Sequence, residues 1–137
     1  MPTCYRSRII FQHASYLLIF IENRTFTFYK ITMKEITVLE LKKMIDNKED
    51  FQLIDVRETF EYEMSNLNGL NIPLAGVILE ASKISKDKPV IMQCRSGARS
   101  AAALNQLEQQ LGYTNLYNLK GGILAWKAEF EPDMPVY

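Results

Sequence analysis

Residues 89–100 read Pro89-Val90-Ile91-Met92-Gln93-Cys94-Arg95-Ser96-Gly97-Ala98-Arg99-Ser100. The apolar run Pro89 to Gln93 reads as the central buried strand of a sheet. Beyond Gly97, the positions of Ala101, Leu104, Leu107, Glu108 and Leu111 mark an amphipathic helix that Gly112 stops at its C′ position. Cys94 therefore falls at the junction of a strand end and a helix start.

The same alternation extends outward. Thr37 with Glu40 three residues on forms a capping box, and Val38, Leu41, Met44 and Ile45 give the apolar face of a helix running to about Asn47. Phe51 to Val56 suits a buried parallel strand ending in charged residues. Glu58 to Met64 reads as a short helix, Asn71-Ile72-Pro73 as a brief strand, and Leu74 to about Ser85 as a helix closed by the lysines up to Lys88. Downstream, Asn115 to Leu119 is a short strand and Ile123 to Phe130 the last helix. Strands alternating with helices predict an α/β fold: an open, mostly parallel sheet of about five strands with helices on both faces. Ligands of such sheets bind beyond the carboxyl ends of the strands, where the Cys94 loop falls.

Composition narrows the chemistry. The 137 residues are 47% hydrophobic and carry 16 basic against 16 acidic side chains, so one packed domain is expected and disorder is excluded. Zero formal net charge supplies no long-range attraction to nucleic acid or anionic lipid. Cys4 and Cys94 are the two cysteines and His13 the single histidine, which argues against a tetrahedral metal site and against a Ser-His-Asp triad. No stretch reads GxxxxGK or GxGxxG, and neither cofactor nor metal is expected.

Residues 1–32 differ from the rest and are expected to be an extension preceding a compact domain at 33–137. The apolar run Tyr16 to Ile21 is far shorter than the roughly 20 residues that span a bilayer, so no membrane span is expected. Arg6 and Arg8 before that run admit a signal peptide, yet no small-x-small cleavage site follows; a cytoplasmic location is expected, with export as the alternative. Thr25 to Thr32 alternates as a strand would.

The segment Cys94 to Ser100 concentrates the requirements of a nucleophilic thiolate. A helix N-terminus offers free N–H groups and the positive end of its dipole, which favour an anion, and a lowered pKa is what makes a cysteine reactive. Gly97 lets the backbone curl so that successive amides face inward as an anion nest. Arg95 and Arg99 add fixed charge for an oxyanion. The competing reading is a buried, inert Cys94 ending a strand, with surface arginines beside it.

This loop resembles the active-site loop of the rhodanese family of single-domain sulfurtransferases. Asp55-Val56-Arg57-Glu58 with Glu61-Tyr62 resembles the family's first signature, and Leu119, Gly121, Gly122, Ala125 and Trp126 resemble its closing L-x-G-G-x-x-A-W. The motifs fall in the family's order over Ile36 to Phe130. The family's Gly-His-Ile-x-Gly-Ala segment appears as Ser65-Asn66-Leu67-Asn68-Gly69-Leu70, with one residue fewer before Asn71-Ile72-Pro73, which bears on the entry loop. The resemblance does not reach residues 1–32.

It implies a catalytic Cys94 that takes the outer sulfur of a small donor such as thiosulfate or a persulfide and passes it to a thiol or cyanide. A protein donor or acceptor is an alternative partner. Arg95, Ser96, Gly97, Ala98 and Arg99 would bind substrate. Asp55 and Arg57 are read as an ion pair bracing the loop, and Trp126 with Gly121-Gly122 as packing the last helix closely. Cys4 as a second thiol and His13 as a functional group are the less favoured readings. Two alternatives stay open: a non-catalytic sulfur-relay or binding module, and a phosphatase or arsenate reductase. The second needs five residues between cysteine and arginine, where Cys94 and Arg99 enclose four.

Overall fold

The computed structural model describes residues 32–137 in full and, before them, the backbone of three strands: β1 (Arg8–His13), β2 (Tyr16–Ile21) and β3 (Thr25–Lys30). Cys4 and Arg6 lie outside the described residues. The chain divides into two compact units, Met1–Met33 and Lys34–Tyr137.

In the first unit the strands form an antiparallel sheet in the order β1-β2-β3. β2 and β3 pair without interruption from Tyr16↔Lys30 to Ile21↔Thr25, whereas β1 shifts register between Ile9 and Phe11. The alternating stretch from Thr25 thus contains a strand. β2 escaped the sequence reading because Tyr16 to Ile21 is an unbroken apolar run, and such a run carries no period of two.

The second unit is built on a five-stranded parallel sheet with the order β4-β8-β7-β5-β6. Its elements are β4 (Glu35–Ile36), α1 (Val38–Asp46), β5 (Gln52–Asp55), α2 (Thr59–Met64), β6 (Leu70–Asn71), β7 (Val90–Gln93), α3 (Ala98–Leu111), β8 (Leu116–Leu119) and α4 (Gly122–Phe130). The capping box at Thr37 starts α1: Thr37 Oγ1 accepts the Glu40 amide at 3.2 Å while Glu40 Oε2 accepts the Thr37 amide at 2.7 Å.

β7 lies at the centre, with Leu53↔Ile91 and Ile54↔Met92 aligned to β5 and Ile91↔Tyr117 to β8. Side chains alternate across this sheet, so each strand feeds two cores. Leu53 and Ile91 join Val38, Leu41, Leu119, Ile123 and Trp126 under α1 and α4. Ile54, Met92 and Leu116 turn to the opposite face, where α3 buries Ser100, Ala103, Leu104 and Leu107. Each large apolar side chain removed from water contributes about 1.5–3 kcal/mol, and the two layers together cover both faces of β7 up to its carboxyl end.

One expected helix is absent. Leu74 to Ser85 forms two short 3₁₀ turns, Leu74–Gly76 and Ala81–Lys83, instead of a continuous helix. Tertiary hydrogen bonds set that path. The Tyr113 hydroxyl donates to the carbonyls of Ala81 and Ile84, at 2.7 and 3.1 Å. Gln52 grips the Lys83 carbonyl and the Ser85 amide, both at 2.8 Å. With Gly76 and β-branched Val77 and Ile78 offering weak helical preference, these contacts win. No helix among the described residues is long and apolar enough to cross a membrane.

Candidate active site

Cys94 follows the last residue of β7 and is 1% exposed. Three residues later Gly97 takes φ +101° as the N-cap of α3. That left-handed conformation, which side-chain-bearing residues rarely adopt, turns the Gly97 amide back to the Cys94 sulfur at 3.1 Å. The Ser100 hydroxyl, one turn into α3, stands 3.4 Å from the same sulfur. Burial by itself pushes the Cys94 thiol up. The Ser100 hydroxyl and the amides of Ser100, Gly97 and Ser96 outweigh it and hold the thiol below its ordinary value. The Cys94 sulfur thus faces N–H and O–H donors at a helix N-terminus, an arrangement that favours its anionic form.

The loop is clamped from outside by α4. Ile123 and Leu124 donate their amides to the carbonyls of Cys94 and Arg95 at 2.9 and 3.1 Å. Gly122 makes this approach sterically feasible, because a Cβ there would lie 2.4 Å from the Cys94 carbonyl oxygen and 2.6 Å from that of Arg95. Gly122, read from the sequence as helix packing, therefore sits directly against the Cys94 loop. Trp126 lies in the core instead, its Nε1 donating to Glu131 at 3.0 Å and its ring against Phe130.

The other loop residues divide. Ser96 and Ala98 are exposed. Arg95 is exposed too, and its Nε donates to the Tyr137 main-chain oxygen at 2.5 Å, while the Tyr137 ring meets Phe60 edge-on at 5.7 Å. Arg99, expected from the sequence to bind the donor, gives Nη1 and Nη2 to the two carboxylate oxygens of Glu61 at 2.6 and 2.8 Å. That pairing holds the Glu61 carboxyl below, and the Arg99 guanidinium above, their usual values.

Asp55 and Arg57 form a second, fully buried pair, each 1% exposed. Arg57 Nη2 lies 2.7 Å from Asp55 Oδ2 and also donates to the Ser65 carbonyl at 2.8 Å. The pair ties the end of β5 to the far end of α2, and so positions Glu61 against Arg99.

Two residues were missed in the sequence. Ser100 reaches the sulfur, and Asn118 on β8, 4% exposed, takes the Ser100 hydroxyl at 2.6 Å through Oδ1. A readable signal existed for Ser100: it interrupts the otherwise apolar inner stripe of Ala103, Leu104 and Leu107. Asn118 had none, since its meeting with α3 depends on strand order.

A cavity of about 590 Å³, lined by Ile45, Phe51, Leu67, Leu70 and Trp126 among others, includes no residue of the Cys94 loop. No group of three or more His, Cys, Asp or Glu side chains suited to a metal ion occurs among the described residues.

A parallel α/β sheet whose central strand ends at a cysteine facing the backbone amides of a helix start defines a cysteine-loop α/β protein. The chain belongs to the rhodanese-like domain family, whose model matches residues 37–129. It is 38% identical over 95 residues to a protein of Allochromatium vinosum named sulfurtransferase, covering 69% of this chain and 88% of that one. It is 31% identical over 105 residues to the probable adenylyltransferase/sulfurtransferase MoeZ of Mycobacterium tuberculosis, covering 74% of this chain but 26% of MoeZ. The chain thus spans about a quarter of the length of that relative.

Among solved structures, a rhodanese-related protein from Thermoplasma volcanium superposes with a TM-score of 0.60 at 33% identity, covering 76% of this chain and 97% of that one. A rhodanese-like domain protein from Staphylococcus aureus gives 0.65 at 28% identity, covering 77% and 99%. Family and relatives together support a sulfurtransferase or sulfur-relay role.

Proposed function

We propose that this chain is a sulfurtransferase that carries a sulfane sulfur on Cys94. The thiolate attacks the outer sulfur of a donor. With thiosulfate, the donor's S–S bond breaks, sulfite leaves with the bonding electrons, and the enzyme keeps a persulfide. A thiolate or cyanide then attacks the outer sulfur of that persulfide, releasing Cys94 as thiolate and a new persulfide or thiocyanate. Charge and atoms balance in both halves without an oxidant, a cofactor or a histidine base.

The observation that carries this reading is the 3.1 Å contact between the Gly97 amide and a Cys94 sulfur that is also met by Ser100 at the start of α3. The same donors that stabilise a thiolate are placed to stabilise a persulfide anion one bond longer. The relatives named as sulfurtransferases support the class. A phosphoryl-transfer reading is weakened by Arg99, whose two terminal nitrogens are already taken by Glu61.

The test is intact mass after incubation with thiosulfate, a low-molecular-weight persulfide, or a cysteine desulfurase with cysteine. One added sulfur that cyanide removes is expected, and Cys94→Ser should gain none. Equal loading of that variant would falsify the assignment.

A further inference from the structure

The charges around the Cys94 loop cancel in a pattern that bears on the donor. Arg99 meets Glu61 with both nitrogens on both oxygens, at 2.6 and 2.8 Å. This fork-to-fork geometry is the one an arginine would otherwise offer to a sulfonate oxyanion. Glu61 is fixed there: it is 5% exposed, and its Oε2 also accepts the Glu58 amide at 3.0 Å. Arg57 is no spare cation, being buried against Asp55. The other charged groups acting on Arg99, the Cys94 thiolate and Glu58, are negative. Of the loop's own cations, Arg95 is paired with no Asp or Glu among the described residues; it is exposed, and its Nε donates to the Tyr137 main-chain oxygen.

We propose that the site is built for sulfur donors carrying at most one negative charge, organic persulfides or thiosulfonates, in preference to dianionic thiosulfate, and that Glu61 sets this preference by occupying Arg99. The proposal rests on the sulfur-transfer reading of Cys94. With a singly charged organic persulfide, the Cys94 thiolate attacks the outer sulfur. The donor's S–S bond breaks, its electron pair leaves on the organic thiolate, and Cys94 keeps the persulfide. Two negative charges then meet in the encounter, whereas thiosulfate brings three together beside a single loop arginine that no Asp or Glu side chain neutralises. That extra repulsion acts during the approach through solvent to the loop, where dissolved salt screens it.

Thiosulfate and methanethiosulfonate make a suitable pair of probes, because each presents an outer sulfur on a sulfonyl sulfur and they differ by one charge. Single-turnover loading of the full chain, followed by intact mass, gives a rate constant for each. Glu61→Gln, which keeps the side chain's shape and its hydrogen bond to the Glu58 amide, should speed thiosulfate loading about tenfold relative to methanethiosulfonate. Adding Arg99→Gln to that variant should cancel the gain. In the unaltered protein, rising salt should accelerate thiosulfate loading more than methanethiosulfonate loading, since repulsion is being screened. This arm does not depend on how a variant folds. A donor ratio unmoved by Glu61→Gln, or thiosulfate loading selectively slowed by salt, overturns the preference while leaving Cys94 as sulfur carrier. Failure of both donors to load Cys94 would instead remove the sulfur-transfer reading itself, and the preference with it.

Discussion

The Ser100 hydroxyl lies 3.4 Å from the Cys94 sulfur and has one proton to give. Two other acceptors compete for it, the Gly97 carbonyl at 3.1 Å and Asn118 Oδ1 at 2.6 Å. A charged acceptor binds a proton donor more strongly than a neutral one, so ionisation of Cys94 draws that proton to the sulfur. Ser100→Ala should therefore raise the thiol pKa and slow alkylation by iodoacetamide at neutral pH about tenfold. The check is the pH profile of alkylation followed by mass. A profile that does not move would assign the thiolate to the backbone amides alone.

Stability should carry the same signature. The folded state holds the Cys94 thiol below its ordinary value of 9.0. The thiolate's contribution is thus complete above the unfolded value and is lost as pH falls through the folded one. Urea unfolding of the wild type and Cys94→Ser across that window should show a stability difference that grows with pH. Taking the difference removes groups common to both proteins, such as Tyr113. A flat difference would contradict the thiolate assignment.

Two glycine substitutions should part company. Gly112 has φ +68° with nothing within 4 Å of an added Cβ, so Gly112→Ala meets only the left-handed penalty of about 1 kcal/mol. Gly122→Ala drives a methyl into the Cys94 and Arg95 carbonyls and breaks the α4 clamp on the loop. It should cost more than about 3 kcal/mol in chemical denaturation and abolish sulfur loading. Similar costs for both would show that the clamp is not needed.

Arg57→Met should be among the most damaging single changes outside the loop. It strands the Asp55 carboxylate, 1% exposed, without its cation, at a cost of about 3–5 kcal/mol. Adding Asp55→Asn should recover part of that loss, because the uncompensated charge goes too. Full additivity of the two changes in denaturant unfolding would show that the pair does not act as a unit.

A chain starting at Met33 should unfold cooperatively and load sulfur as the full chain does, because the capping box, the parallel sheet and the Cys94 loop all follow that residue. Collapse on removing residues 1–32 would show that the antiparallel β1-β2-β3 sheet is required by the rest. Circular dichroism melting and mass-detected loading decide between the two.

Much of the parallel sheet was legible because its signals are local. Thr37 and Glu40 are three residues apart, Gly112 directly follows its helix, and the strand, Cys94 and Gly97 are contiguous. Features set by distant partners were not. β4 is two residues long and exists through pairing with β8. The Leu74 to Ser85 path obeys Tyr113 and Gln52, and Arg99 finds Glu61 across 38 residues. At the candidate site the place of Cys94 at the strand end and the turn of Gly97 could be read, while the contacts of Ser100, Asn118 and Arg99 required the fold.

The pairing of β4 with β8, Glu35 opposite Asn118 and Ile36 opposite Leu119, has a consequence for synthesis on the ribosome. The strand of this sheet that leaves the exit tunnel first must wait for the one that leaves last. The amides of Ile123 and Leu124 that pin the Cys94 loop emerge later still. A nascent chain arrested before them presents Cys94 on a loop that nothing yet pins from α4. The hydrogen bonds that complete the shape of the loop around the sulfur therefore form last, after every strand of the parallel sheet has been made.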